Sequence, residues 1–235
     1  MKTPLSDLPP LTEPLRAEAL LAWLKTSDSE ALEHLWARAD ELRRQGVGDE
    51  VHLRGLVEIS NRCIRQCAYC GLRAANRSLS RYSMSDEEIL ECAHRIRDHG
   101  WGTVVLQSGE DPTFTSERVE ALMRRIKVET GLAITLSLGE RTEEELRAWK
   151  QAGADRYLLR FETSDRALFQ RIHPPLPGRD SDRLGLLKVL RDIGYEVGSG
   201  VMVGIPGQGF ESLARDLELF AELELDMIGL GPFIP

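Results

Sequence analysis

The sequence predicts an α/β fold, in which six parallel strands alternate with helices and curl into a partial barrel of the TIM type. Three observations predict it. Short β-like runs recur at 53–60, 103–108, 133–138, 156–162, 197–203 and 227–234. Amphipathic helical stretches separate them, and glycines mark where four of those helices stop.

In chain order, a proline-rich stretch at 9–14 leads into helical patterns at 15–24 and 29–44. In the second pattern Leu32, Leu35, Trp36, Ala39 and Leu42 recur at helical spacing. These patterns predict an N-terminal helical extension over 1–50, followed by a βα core over 51–235. Core helices are predicted at 86–99, 116–130, 142–151, 182–193 and 211–223. Ser85 precedes Asp86, Glu87 and Glu88, and Thr142 precedes three glutamates, so each offers an N-cap oxygen with acidic charge at the positive helix end. Gly100, Gly131, Gly153 and Gly194 fall at helix ends, where a left-handed residue is common. Right-handed crossovers between parallel strands favour a barrel-like sheet, with a doubly wound open sheet as the competing architecture. In either case chemistry belongs at the carboxyl ends of the strands.

A chain of 235 residues, 42% hydrophobic and 29% charged, suits one large core. A net charge of -8 argues against gripping a nucleic-acid backbone, which needs clustered Lys and Arg. Partners are therefore expected to be small molecules or proteins. No apolar run reaches the roughly 18 residues of a membrane helix, and the segment 1–10 lacks the apolar stretch of a secretory signal. A cytoplasmic protein is expected. Three of the four cysteines lie within eight consecutive residues, which points to metal or redox chemistry rather than a disulfide framework.

Those three are Cys63, Cys67 and Cys70, in a C-x3-C-x2-C arrangement in the loop after the first strand. Three thiolates at this spacing can hold three irons of a 4Fe-4S cubane, leaving the fourth iron open. An open iron can chelate the amino and carboxylate groups of S-adenosylmethionine and place its sulfonium for one-electron reduction. Zinc is the alternative, but a structural zinc site wants four protein ligands, and neither a nearby fourth cysteine nor paired histidines complete the set. Cys92 sits among Ile89, Ala93 and Ile96 in a helical pattern and reads as a core residue.

Polar residues gather at the other strand ends. Gln107, Ser108, Gly109, Glu110 and Asp111 follow the second strand, where Gly109 lets backbone approach a ligand closely. Ser137 and Glu140 end the third. Arg160 and Glu162 end the fourth and share a face by alternation, while Phe161 points the other way. Two charges facing a barrel interior are costly unless they bind each other or a polar ligand. Arg183 opens the next helix, where its guanidinium can meet a carboxylate. Met202 to Gln208 forms an apolar wall suited to an adenine, and Tyr69 can lay its ring against the base or simply pack on Leu72.

The triplet together with Tyr69 resembles the radical S-adenosylmethionine superfamily, whose signature is C-x3-C-x-aromatic-C. The strand-end motifs resemble, more narrowly, the HydE-type maturases of FeFe-hydrogenase. Among those motifs are Leu106-Gln107-Ser108-Gly109-Glu110-Asp111-Pro112, Thr135-Leu136-Ser137-Leu138-Gly139-Glu140, Met202-Val203-Gly204-Ile205-Pro206-Gly207-Gln208 and Gly229-Leu230-Gly231-Pro232-Phe233-Ile234-Pro235. Biotin synthase and methylornithine synthase share the barrel and cluster site but differ in these motifs.

The resemblance implies that Cys63, Cys67 and Cys70 bind a 4Fe-4S cluster. It also implies that Tyr69, Ser108, Gly109, Ser137, Glu162 and Arg183 position S-adenosylmethionine, and that Gln107 and Arg160 face the substrate. A 5'-deoxyadenosyl radical would act on an organometallic iron or small-molecule substrate, with maturase and electron-donor proteins as partners. Phe161 stands where the family commonly shows histidine. The alternatives are a related biosynthetic radical enzyme or a non-catalytic iron-sulfur scaffold or carrier. A barrel of this family has eight βα units, so a chain ending at the sixth strand is expected to be a fragment with an uncovered last edge.

Overall fold

The computed structural model describes residues 3–11 and 15–234. The segments 1–10, 9–14 and 229–235 discussed above fall partly outside the described residues. A 3-10 turn at Leu5–Asp7 precedes α1 (Ala17–Lys25) and α2 (Ser29–Val47). Asp28 caps α2 by accepting from the Ala31 amide. Trp23, Leu8 and Ala31 form a small satellite core. The indole of Trp23 donates to the Pro9 carbonyl at 3.0 Å.

The core strands are β1 (Gly55–Ser60), β2 (Thr103–Ser108), β3 (Ala133–Ser137), β4 (Arg156–Leu158), β5 (Glu196–Val203) and β6 (Met227–Pro232). They form one parallel sheet in consecutive order, β1 to β6. A doubly wound sheet reverses its strand order at a switch point, so consecutive order selects the barrel-like architecture. The sheet is not closed among the described residues. Its last strand is largely exposed, with Ile228 54% and Leu230 59% accessible.

Between the strands lie α3 (Asp86–Asp98), α4 (Ser116–Thr130), α5 (Glu143–Gln151), α6 (Arg166–Ile172), α7 (Arg183–Ile193) and α8 (Phe210–Glu222). Ser85 and Thr142 both make the full reciprocal capping box with Glu88 and Glu145. Gly131 and Gly194 end α4 and α7 in the left-handed conformation, at φ 71° and 96°. α8 receives the N-terminal extension, where the Ala17 amide donates to Glu218 at 2.7 Å and Lys25 pairs with Glu211.

Alternation divides the sheet into two faces. Val57, Ile59, Val104, Leu106, Ile134, Leu136, Tyr157, Leu159, Phe161, Val197 and Val201 pack with the helices in one continuous core. Glu58, Gln107 and Ser137 take the opposite parity and pair laterally, Glu58 with Gln107 and Gln107 with Ser137. A polar row thus crosses three strands on the face away from the helices.

Two elements differ from the sequence reading. The fourth strand is regular only to Leu158, and Glu162, at a left-handed φ of 67°, rejoins β5 through an isolated bridge to Val201. Beyond Leu158 the chain still follows β5, with Leu159 and Glu162 amides donating to Gly198 and Gly200 carbonyls. Arg160 and Glu162 accordingly keep the shared face expected of them, and Phe161 packs against Phe220 on the helix side. The second difference is α6, absent from the sequence reading. Its seven residues are too few to display a helical period, with only Leu168 and Ile172 buried.

Candidate functional site

The cysteine loop leaves β1 at Ser60, whose hydroxyl donates to the buried Asp111 carboxylate at 2.6 Å. Farther along, Arg81 donates to the carbonyls of Asn61, Leu72, Arg73 and Asn76, gathering the loop around one guanidinium. A long irregular loop has many backbone acceptors and few backbone donors to meet them, and a five-donor fork supplies what a sheet neighbour would. Between these anchors sit three free thiols, with Cys67 buried and Cys63 and Cys70 half-buried. The Arg65 and Leu72 amides point at the sulfurs of Cys63 and Cys70, each at 3.4 Å.

Gly109 makes room for this loop. A Cβ there would lie 2.5 Å from the Arg62 carbonyl oxygen and 2.5 Å from the Cys63 Cβ. Only glycine permits that approach of the β2 end to the first thiol. Burial pushes the Cys63 thiol up and carries Cys67 to about 11 despite the opposing charge of Arg183. Both are thiols in the cluster-free protein at neutral pH, and ligation to a metal must displace their protons.

Beside Cys67 lies a buried network that sequence reasoning did not find. His173, 1% exposed, follows α6 and places Nδ1 3.0 Å from Cys67 Sγ and 3.3 Å from the Tyr69 hydroxyl. Its Nε2 is 3.1 Å from Glu140 Oε1, an acceptor only, so Nε2 carries the proton and Nδ1 accepts. Burial holds the His173 imidazole below its ordinary range, although Glu140 opposes this. Burial also raises the Glu140 carboxyl, but the His173 hydrogen bond, the Arg183 charge and the Ser181 hydroxyl outweigh it and hold Glu140 well below the usual carboxylate range. Tyr69 packs with the Leu168, Ile172, Met202 and Ile205 cluster under α6, and its ring stacks on His173. Histidine was hard to find because it sits alone in sequence, 106 residues from the thiol it meets.

Arg183, at the start of α7, donates from Nε to Glu140 at 2.9 Å and from Nη1 to the Arg160 carbonyl at 2.6 Å. Its Nη1 is 3.8 Å from Glu162 Oε1. Arg183 is thus a buried arginine rather than a surface one, hydrogen-bonded to Glu140 and in a longer ion pair with Glu162. Arg160 donates to the Val201 carbonyl at 2.9 Å and faces Glu162 at 3.6 Å, too far for a hydrogen bond. Burial raises the Glu162 carboxyl, against the charges of Arg160 and Arg183. Gln107 and Ser137 lie side by side in the polar row, while the Ser108 hydroxyl donates to its neighbour's carbonyl on Gly109. A cavity of about 490 Å³ opens between α6 and α7, with Phe161, His173 and Arg183 in its lining and none of the three thiols.

The residues fit an iron-sulfur cluster with a polar co-substrate. Sulfurs that accept backbone N–H groups and a partly buried setting are what such clusters use. Glu162 Oε2 and Arg160 Nε are buried without hydrogen-bond partners at the adjoining strand end. Buried charged atoms left so are costly, and a polar ligand relieves that cost. Among the described residues no three of His, Cys, Asp and Glu are gathered closely enough to hold a single metal ion.

A three-thiol loop after the first strand of a consecutive parallel βα sheet, with charged residues at the following strand ends, defines the radical S-adenosylmethionine class of protein. The chain belongs to the radical SAM superfamily, whose family model matches residues 57–220. That superfamily uses a 4Fe-4S cluster and S-adenosylmethionine.

Within it, the chain is 46% identical over 218 residues to the [FeFe] hydrogenase maturase subunit HydE of Thermotoga maritima, an alignment covering 93% of this chain and 62% of that protein. It is 30% identical over 225 residues to the 3-methylornithine synthase of Methanosarcina acetivorans, covering 94% and 63%. The crystal structure of methylornithine synthase PylB superposes with a TM-score of 0.86 at 28% identity, covering 95% of this chain and 66% of that one. The chain therefore spans somewhat over three fifths of the length of these curated relatives. Among the described residues no helix is long and apolar enough to cross a membrane.

Proposed function

We propose that this chain carries the catalytic core of a HydE-type radical enzyme that helps assemble the diiron site of FeFe-hydrogenase. Residues 51–235 supply that core and 1–50 its helical extension. Cys63, Cys67 and Cys70 hold the cluster. Tyr69, Ser108, Gly109, Ser137, Glu162 and Arg183 position S-adenosylmethionine, and Gln107 and Arg160 face the substrate. When bound, the cluster and S-adenosylmethionine supply reductive cleavage to a 5'-deoxyadenosyl radical, the hard chemistry belonging to the cofactors.

The protein's own residues orient and enclose. Arg183 presents a cation to a carboxylate, and Glu162 Oε2, which faces Arg160 but has no hydrogen bond within the chain, accepts from a hydroxyl. Gly109 keeps the thiol loop against the polar row. The substrate is an organometallic iron precursor delivered by a partner maturase, a separate protein donates electrons, and the reaction takes place in the cytoplasm.

The observation that carries the HydE assignment is the 46% identity spread over 93% of the chain. The test is anaerobic reconstitution followed by chromatography for 5'-deoxyadenosine, then complementation of a hydrogenase maturation system lacking its HydE component. Cleavage together with restored hydrogenase supports the reading. Stoichiometric zinc without iron would sink it in favour of a scaffold. Cleavage without complementation, but with methylornithine formed, would favour the second reading that the PylB superposition supports.

Gly109 offers a sharper check. Gly109→Ala puts a methyl group into the Arg62 carbonyl, which must move with the first thiol. Iron bound per chain after reconstitution is expected to fall by about half or more. Full iron content would show that the loop adapts without cost.

A further inference from the structure

Arg65 lies inside the cysteine loop, two residues from Cys63 and two from Cys67, yet its side chain is only 2% exposed. It turns beneath the loop instead of into solvent. Its Nε donates to Glu110 Oε2 at 2.8 Å, and its Nη2, which makes no hydrogen bond, pairs by charge with Glu140 Oε2 at 2.9 Å. Glu110 in turn accepts the Glu140 amide on its other oxygen at 3.1 Å. The two carboxylates and the arginine form one closed unit.

Glu140 divides its two oxygens between separate parts of the site. Oε2 meets Arg65 of the cysteine loop, while Oε1 meets Arg183, His173 and Ser181 at 2.9, 3.1 and 2.6 Å. Its backbone carbonyl is held by Arg179 at 2.7 Å. A planar carboxylate fixed at one oxygen by the loop has little freedom to rotate at the other. The orientation of Arg183 is thus tied to the position of the thiols.

The charges are close to balanced, with Arg65, Arg160 and Arg183 against Glu110, Glu140 and Glu162. Removing one member leaves another buried and unpaired, which is costly and redirects its neighbours. Linkage between two sites through a shared group also runs both ways.

We infer that Arg65 and Glu140 form a buried brace through which the cysteine loop sets Arg183, making Arg65 a positioning residue for S-adenosylmethionine. The inference rests on the radical reading above, in which Arg183 holds the co-substrate. Arg65 touches neither cluster nor co-substrate in this role. Lysine cannot replace it, because one ammonium at the end of a flexible stem does not span two carboxylates as a guanidinium fork does.

The test is a double-mutant cycle of Arg65→Lys and Arg183→Lys on anaerobically reconstituted protein. Binding is read from the change in the EPR spectrum of the reduced cluster as S-adenosylmethionine is titrated, with iron and sulfide content measured alongside. Arg65→Lys is expected to keep its iron while weakening S-adenosylmethionine binding about tenfold. The double variant is expected to bind no more than about threefold more weakly than Arg183→Lys alone, since the first substitution has already released Arg183.

Binding by Arg65→Lys within about twofold of the parent would overturn the brace, as would losses that simply multiply in the double variant. So would loss of iron from Arg65→Lys, which would make the arginine a support for the loop alone. A parent cluster whose spectrum ignores S-adenosylmethionine is a different failure, because it removes the radical reading and the brace together.

Discussion

Cys67→Ala is expected to reduce S-adenosylmethionine cleavage to the background of the cluster-free protein, a loss of about a thousandfold or more. Three thiolates are the fewest that hold a cubane while leaving one iron open, so the loss of one removes a corner ligand that no other residue replaces. His173 is the nearest candidate substitute, but the Glu140 bond to Nε2 fixes its ring with Nδ1 3.0 Å from the Cys67 sulfur, beside the corner position rather than in it. The brown chromophore should fade with the activity, and acid-labile sulfide should fall in parallel. Cys92→Ala is the control: that residue packs against the main core in α3, and its removal should leave iron and cleavage unchanged. A Cys67→Ala protein that keeps full iron and cleaves within about tenfold of the parent would contradict the assignment of the triplet.

Trp149→Ala is expected to be the most damaging single change to stability, at about 3–5 kcal/mol. The indole is fully buried in α5 and donates to the Ser116 carbonyl at 3.1 Å, pinning α5 to the start of α4. Arg141 lies over its ring at 5.3 Å. Truncation leaves a cavity, an orphaned carbonyl and a cation without its π face, and these costs add in the same direction. For a domain of this size that is a fall in melting temperature of roughly 10 °C, measurable by circular dichroism. A shift of only one or two degrees would mean that α4 and α5 close over the gap. Iron bound per folded chain should be unaffected at low temperature, because the α4–α5 contact lies on the helix side of the sheet, away from the thiol loop.

The strands and most helices were legible in the sequence because their signals are local. Ser85 and Thr142 announce their capping boxes three residues ahead, and Val104 and Leu106 alternate with Val105 and Gln107 over a single turn of pleat. The same alternation correctly separated Arg160 and Glu162 from Phe161. α6 was missed because seven residues carry too little period to read. The left-handed turn at Glu162 was missed because a glutamate gives no local warning of positive φ.

By itself the sequence determined the order of elements, the parallel βα architecture and the thiol triplet, since each depends on residues close together in the chain. Only the tertiary structure showed that His173 meets Cys67, that Arg65 turns inward to two glutamates, and that one Glu140 oxygen serves the loop while the other serves Arg183. Those contacts join residues 43 to 106 positions apart. Spacing along the chain carries no record of them, because they are created when separate strand ends are brought to one edge of the sheet and their charges must find partners out of water.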